Sequence, residues 1–501
     1  ACINCINLTT ARSASRADEV GLRKVFGARR KNLIRQFLGE STVFSIISFI
    51  LAVVMVKAVI PVLNSLTGGE LRYSILEPVF FLSFLVITIM VGILAGIYPA
   101  LFLSSCEPVK ILKGEKVSGK SGSVFRNILV VTQFVIAAAL VSSTIVVFRQ
   151  INFMKDRDLG FNKEQILVIP VSNNRIRSQL STIKNELNSL PGIINTAVSS
   201  HVPGQVTYKN PFIPEGFTKD QMQFMGSLLI DEDYLSTMNI EIVNGRAFSE
   251  EFSTDREISV LINETAAKQF GWEDPVGKEI ISVQGSDRNN WTTTSVIGVV
   301  KDFHLTSLHQ KIEPLIISNA PFNLNTISVK LNKNNISSII SSLRIKWKNI
   351  SPDTPFDFFF LDEFFDRQYR NDERLGKIFT YFTFLAIFIA VLGVFGLVSY
   401  IVEKRSKEIG IRKVLGASIS QILKNLTSQF TTLVISACLI AVPLTWFVMS
   451  RWLNNFAYRT SLSPDIFVLS VMIIFSIALL TVIIHAVRAA MANPVDSLRN
   501  E

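Results

Sequence analysis

Glu408-Ile-Gly-Ile-Arg-Lys-Val-Leu-Gly-Ala417 repeats, almost residue for residue, an earlier stretch, Glu19-Val-Gly-Leu-Arg-Lys-Val-Phe-Gly-Ala28. Only aliphatic or aromatic exchanges separate the two. Each copy leads through an amphipathic stretch into a long apolar run. Each closes, two apolar runs later, on a short tail with Pro-Val: Pro108-Val109-Lys110 in one and Pro494-Val495-Asp496 in the other. A ten-residue match with the same downstream order is hard to produce by chance, so the chain holds two copies of one module. The order of residues is that of a short helix. A carboxylate opens it, Arg-Lys closes it, and a glycine follows, as the helix dipole and the C-terminal cap favour. Across the glycine, Ile411, Leu415, Ile419, Ile422 and Leu426 fall at spacings of 4, 4, 3 and 4, which predicts an apolar stripe running across the turn. The expectation is a short cytoplasmic helix at the mouth of a membrane helix and rigidly joined to it.

The apolar runs dominate the remainder. Of 501 residues 49 % are hydrophobic and 18 % charged, with a mean hydropathy of +0.37. Six runs, 42–63, 79–103, 124–148, 378–401, 426–449 and 466–487, reach the ~20 residues a helix needs to cross hydrocarbon. The net charge of +10 is unevenly placed. Residues 149–377 hold 25 basic and 28 acidic side chains, which leaves 25 and 12 for the rest, so the excess flanks the apolar runs. This is the positive-inside pattern rather than a nucleic-acid footprint. It puts the N-terminus, loops 104–123 and 402–425 and the C-terminus inside. Loops 64–77 and 450–465 and the large 149–377 segment lie outside. The chain opens without an initiator Met on what reads as the end of another membrane helix, and a fragment of a longer polypeptide is expected.

Segment 149–377 reads as an α+β domain. Strand-like runs occur at 166–170, 258–262, 295–300 and 327–331, and helical ones at 176–190 and 336–350. Its polar ends, 150–158 and 362–377, are helix-compatible and read as stalks that extend the adjoining spans. Chemistry is sparse. His304 and His309 lie five apart near Asp302 with no third ligand in view, so a structural loop is expected and no metal. The carboxylates within Phe360-Leu-Asp-Glu-Phe-Phe-Asp366 read as a solvated face. Cys2 and Cys5 form a C-x-x-C without a second pair and read as packing residues. Lys57 sits near the outer end of its span, where it can snorkel. Gly92 and Gly96, and Gly393 and Gly396, are small-residue pairs that allow close helix approach but are weakly specific.

The paired Glu-x-Gly-[Ile/Leu]-Arg-Lys-x-x-Gly-Ala segments resemble the FtsX-like/MacB-type ABC transporter permeases. So do Asn4–Ser13, Gly96-Ile-Tyr-Pro-Ala100, Asn244-Gly-Arg-Ala-Phe248, Val296-Ile-Gly-Val-Val-Lys-Asp-Phe-His304 and Trp452-Leu-Asn-Asn-Phe-Ala-Tyr458. Together these motifs resemble those of the large two-module permeases common in Bacteroidota. The resemblance implies an α-helical integral membrane protein with six transmembrane helices and an inserted α+β extracytoplasmic MacB-like core domain. On that template 1–115 is the C-terminal part of a first permease module and 116–148 the first helix of the second. Residues 149–377 form the periplasmic core domain with its stalks, and 378–501 complete the second module.

The resemblance also implies a non-enzymatic permease subunit in the bacterial inner membrane, with no cofactor and an ABC ATPase subunit as partner. The spacing G-x-x-x-x-G-K-[S/T] occurs once, as Gly114-Glu-Lys-Val-Ser-Gly-Lys-Ser121 in the short basic loop between two apolar runs, without the strand that precedes such a loop in a nucleotide-binding domain. Carried over by position, Glu19, Gly21, Arg23, Lys24 and Gly27, with Glu408, Gly410, Arg412, Lys413 and Gly416, are the expected ATPase-docking residues. Contact with anionic lipid headgroups is the competing reading of the same charges. Export or extraction of an amphiphile such as a peptide, antibiotic or lipoprotein is expected, with a periplasmic adaptor or outer-membrane channel as further partners. The alternative is regulation of a cell-wall hydrolase or ligand sensing.

Overall fold

The computed structural model describes residues 3–4, 6–7, 17–67, 77–105, 120–171, 173–205, 208–256, 258–283, 291–319, 323–404 and 406–491. Cys2, Cys5 and both Pro-Val tails lie outside the described residues. The chain divides into two compact units, one of Ala1–Phe148, Arg374–Trp452 and Ser461–Glu501, the other of Arg149–Glu373 and Leu453–Thr460. Among the described residues six helices are long and apolar enough to cross a membrane: Arg30–Pro61, Pro78–Ile97, Val124–Lys155, Arg370–Val402, Ile419–Leu453 and Pro464–Ile484. All six fall where the hydropathy places them.

In the first unit, α1 (Ala17–Val25) precedes α2 (Arg30–Thr67), α3 (Pro78–Ser105) and α4 (Lys120–Lys155). Helices α2 and α3 meet across the Gly92 and Gly96 pair. A Cβ at Gly92 would stand 2.9 Å from Ser45 Oγ and 3.0 Å from Thr42 Cα, and one at Gly96 3.0 Å from Ser41 Oγ. The glycines let α2 approach where larger residues would hold it off.

Among its described residues the second unit has eleven strands: β1 (Ile166–Pro170), β2 (Ile193–Ser199), β3 (Lys209–Pro214), β4 (Gln223–Ile230), β5 (Ile242–Gly245), β6 (Ser259–Asn263), β7 (Glu279–Ser282), β8 (Thr292–Val300), β9 (Leu315–Asn319), β10 (Thr326–Leu331) and β11 (Phe359–Phe360). They run in the order β11-β1-β10-β2-β4-β3-β7-β8-β6-β9, with β5 beside β8. Strand β9 also pairs in parallel with β4, so six strands close on themselves, while β2 reaches β4 through one pair, Ser199 with Ile230. Two lobes result. In one, α5 (Leu180–Asn188) and α8 (Ile336–Ile350) pack on β1, β10 and β2. Ile339, Leu343 and Trp347, at intervals of four, meet Ile183, Leu187, Leu167 and Val329. The other lobe encloses Met225, Val260, Ile262, Ile280 and Ile316 beside α7 (Glu264–Phe270). Helix α6 (Tyr234–Met238) lies against β2.

The expected helix 176–190 is two pieces. Asn173 Oδ1 accepts from Arg175 N at 2.9 Å and starts a single turn, Asn174–Arg177. Gln179, at φ −118°, then breaks the spiral before α5. The expected stalks are also shorter than read. The first is helical only to Lys155. The second comprises α9 (Leu361–Arg367) and the start of α10 (Arg370–Lys404). Between them Tyr369 is buried, and its hydroxyl accepts from Leu308 N at 3.2 Å. A continuous solvated helix has no place for that side chain.

The last helices return to the first unit: α10, α11 (Ser406–Val414), α12 (Ile419–Leu453) and α13 (Pro464–Met491). Helices α4, α10, α12 and α13 form a four-helix core around Phe134, Ala137, Val394, Phe430, Ala437 and Ala478. Ser142 with Ser470 (2.7 Å) and Thr144 with Thr383 (2.8 Å) add hydroxyl contacts between helices.

Candidate functional site: the repeated helices

The two copies of the repeat fold alike. Helices α1 and α11 are nine residues each, and in each the opening carboxylate meets the arginine one turn on: Arg23 to Glu19 at 2.6 Å, Arg412 to Glu408 at 2.6 Å. Both pairs are close to half exposed, where such an i,i+4 bridge contributes about 0.3–0.5 kcal/mol. Each helix ends the same way. Gly27 takes φ 89° and Gly416 φ 90°. Gly27 N donates to Lys24 O and Ala28 N to Arg23 O; Gly416 N donates to Lys413 O and Ala417 N to Arg412 O. These paired bonds are the Schellman cap, which requires a left-handed residue after the helix.

A matching apolar joint ties each helix to the hairpin behind it. Val20, Leu33 and Ala100 cluster in the first copy, and Ile409, Ile422 and Ala486 in the second. Basic groups add to the first joint: Lys24 Nζ donates to Ser104 O at 2.7 Å and Arg30 Nε to Ser104 Oγ at 3.2 Å, at the C-terminal end of α3. The second has a capping box instead, with Ser418 N donating to Gln421 Oε1 and Gln421 N to Ser418 Oγ.

The expected continuous stripe does not form. The left-handed glycine resets the helical phase: among the described side chains of the stripe Ile422 is buried, while Ile411, Leu415 and Ile419 face outward. What stands free in both copies is an apolar trio at equivalent positions: Leu22, Val25 and Phe26, and Ile411, Val414 and Leu415. Phe26 is 87 % exposed and Leu415 79 %. Sequence reasoning picked the charged residues and missed this trio. Its signal was the recurrence of large apolar residues flanking Arg-Lys on a short polar helix.

Among its described residues the second unit holds no comparable centre. Asp302 accepts from Thr265 N (2.9 Å) and Thr265 Oγ1 (2.7 Å) at the start of α7. His304 is buried, its ring edge-on to Tyr458 at 5.0 Å; burial, reinforced by Arg157, pushes its pKa down to about 4. His309 Nε2 lies 3.0 Å from Asp372. The two histidines thus serve different neighbours, and no group of three metal-ligating side chains occurs among the described residues. In 360–366, Asp366 pairs with Lys163 at 2.7 Å on an exposed face. The 244–248 motif is structural. Arg246 grips buried Asp255 through two bonds of 2.6 and 2.8 Å, and Gly245 at φ 76° lies where a Cβ would meet Ile297 O at 2.3 Å.

The 452–458 motif is explained by the loop between α12 and α13, whose residues Leu453–Thr460 belong to the second unit. Buried Gln150 clasps that loop, donating to Tyr458 O (2.8 Å) and accepting from Thr460 N (2.8 Å). Arg157 lies over the Tyr458 ring at 3.9 Å, and Phe456 stacks on His309 at 5.1 Å.

Two family descriptions match the chain: FtsX-like permease C-terminal over residues 1–108 and 380–494, and MacB-like periplasmic core domain over 129–343. Among curated relatives, the macrolide export ATP-binding/permease protein MacB of Chromobacterium violaceum is 24 % identical over 54 % of this chain and 43 % of its own length. That of Bradyrhizobium diazoefficiens is 32 % identical over 23 % of this chain and 17 % of its own. The matches thus span less than half the length of these relatives. The periplasmic region of MacB from Actinobacillus actinomycetemcomitans, a solved structure, is 17 % identical with a TM-score of 0.30, covering 41 % of this chain and 92 % of that one.

Proposed function

The chain belongs to the FtsX/MacB-type permeases, and on that premise we propose that it is the membrane subunit of an ABC-type transporter driven by a separate ATPase subunit. ATP binding and hydrolysis in the partner move α1 and α11. Helices α4 and α10, continuous from the apolar spans to Lys155 and from Arg370, carry the motion outward. They are cross-linked near their outer ends by Lys155 with Glu373. The loop held by Gln150 moves with them. The domain then does conformational work in the periplasm on an amphiphile such as a peptide, an antibiotic or a lipoprotein. An adaptor or outer-membrane channel would complete export, and the membrane is the inner one.

The observation that carries this reading is the pair of alike helices presenting alike apolar trios. In this reading the charged residues first expected to dock, Glu19, Arg23, Glu408 and Arg412 above all, hold the helix in shape, while Gly27 and Gly416 end it. The trio makes the contact. An interface core of buried apolar side chains is where binding energy concentrates, so Phe26→Asp with Leu415→Asp should weaken ATPase association by on the order of 2 kcal/mol, roughly 30-fold. Charge reversal at Arg412 and Lys413 should weaken it less. The check is purification of the tagged chain from its native membranes, assaying ATP hydrolysis in the eluate. Hydrolysis retained in full by the double aspartate variant, with the protein still in the membrane, would remove the docking assignment and leave lipid contact as the role of the trio.

A further inference from the structure

An open cavity of about 760 Å³ lies in the second unit, its charged lining drawn from Arg157, Asp158, Lys163, Glu164, Glu241 and Lys301. Three cations face three carboxylates, so the lining carries no net charge. The segments that form it are bonded to one another. Asn162 N donates to Met238 O, at the end of α6, at 2.8 Å. Lys301 N donates to Glu241 O and His304 N to Leu159 O, both at 2.8 Å. Gly160, at φ 77°, lets the 157–164 turn press on the 302–303 backbone, where a Cβ would stand 2.6 Å from Asp302 O. The cavity is therefore built by the fold, and its size is that of a small-molecule site, ~300–1,000 Å³.

Most of these charges are already answered. Lys163 pairs with Asp366 at 2.7 Å, Lys301 with Glu241 at 3.0 Å and Glu164 with Lys333 at 3.8 Å. Arg157 and Asp158 are left. Among the described residues neither forms an ion pair: the Arg157 guanidinium lies 3.9 Å over the Tyr458 ring, and Asp158 Oδ1 accepts from Gly160 N at 2.9 Å. Asp158 is exposed and Arg157 half-buried. A cation and an anion left open side by side complement a zwitterion better than a simple ion.

The depth of Arg157 points to the source of that zwitterion. The apolar run of α4 closes at Phe148, and Gln150, which donates to Tyr458 O at 2.8 Å, stands two residues on. At 1.5 Å per residue this is ~3 Å beyond the hydrocarbon, inside a headgroup layer roughly 5–8 Å thick. The guanidinium rests on the ring of that same tyrosine, with the Phe153 ring at 5.8 Å. Aromatic rings and cations gather at this level of a membrane. We infer that the cavity binds the phosphate–ammonium headgroup of an outer-leaflet phospholipid, with Arg157 on the phosphate and Asp158 on the ammonium. A primary ammonium donates hydrogen bonds to a carboxylate and a quaternary one cannot, so ethanolamine is preferred to choline. A dipeptide is also a zwitterion, but only the leaflet keeps its zwitterions concentrated at this depth. The site goes beyond the docking proposed above and stands or falls without it.

The test is native mass spectrometry of the chain released from nanodiscs of mixed ethanolamine, choline and glycerol phospholipids. Preferential retention of the ethanolamine lipid is expected. Asp158→Asn keeps the oxygen that accepts from Gly160 N and removes only the charge, and Arg157→Gln removes the opposite one. Each should weaken retention about tenfold, the scale of one charge-assisted hydrogen bond. Lys346→Gln, which breaks a surface pair with Glu186 away from the cavity, should leave it unchanged. Retention blind to the headgroup, or unmoved by Asp158→Asn, would overturn the inference. The headgroup preference of the unsubstituted chain is read whether or not the variants fold. Water-soluble glycerophosphoethanolamine binding as tightly as the lipid would overturn the leaflet as source. Displacement of the lipid by a dipeptide, and not by that soluble headgroup, would assign the cavity to peptides instead.

Discussion

At Gly416 the backbone takes φ 90° with nothing within 4 Å of an added Cβ, and Gly27 is the same at 89°. Alanine at either position is strained only by its backbone, about 1–2 kcal/mol. At Gly245 the left-handed backbone is joined by a clash with Ile297 O, so Gly245→Ala should cost clearly more. Thermal melting of the purified protein would compare the three, and equal losses would contradict the geometry. His304 gives a pH prediction. Its folded pKa of about 4 lies below the ordinary 6.5, and His201, also buried, is pushed down to about 4 as well. The unfolded chain therefore binds protons that the folded one refuses, and stability falls as pH drops from about 6.5 towards 4. The loss should be on the order of a few kcal/mol in total. A His304→Phe variant should show a shallower fall over that window, and an unchanged slope would count against burial as the cause.

Helices α1 and α11 show how an element can be legible while its working face is not. Their extent, opening carboxylate, closing cations and terminal glycine all read correctly, because each is a local rule of helix geometry. The face read wrongly. A stripe extrapolated through Gly416 assumes one helical phase, and a left-handed residue starts a new one. Strands divide similarly. β1 is a five-residue apolar run bounded by Pro170 and was evident, whereas β2, β3, β4, β5, β7 and β9 were not. β4, Gln223-Phe-Met-Gly-Ser-Leu-Leu-Ile230, has no clean alternation. Its burial comes from pairing with β3 on one side and with β9, almost ninety residues away, on the other. A prediction belongs to this scale. Asp255→Asn removes the charge that Arg246 grips and should destabilise the lobe by about 1–3 kcal/mol. Faster hydrogen exchange in β6 and β8 than in β1 and β10 would be the sign.

Over the whole molecule, the loop clasped by Gln150 is the clearest case of distance defeating sequence. Nothing local ties residue 150 to Tyr458 and Thr460, which lie more than three hundred positions on. Gln150→Leu should release the loop, exposing Ala457 N to exchange without unfolding β1 or β10. Exchange unchanged at 456–460 would show that the ring contacts suffice without the amide. By itself the sequence determined the six spans, the charge asymmetry, the duplication, and the existence and capping of α1 and α11. These follow from hydropathy, charge and short-range spacing, which act over one element at a time. Tertiary structure alone decided which face of each repeated helix is free, which loop joins the outer domain, and which charges of its cavity are left unpaired. Those are facts of packing between segments distant in the chain, where one residue's role depends on what stands opposite it.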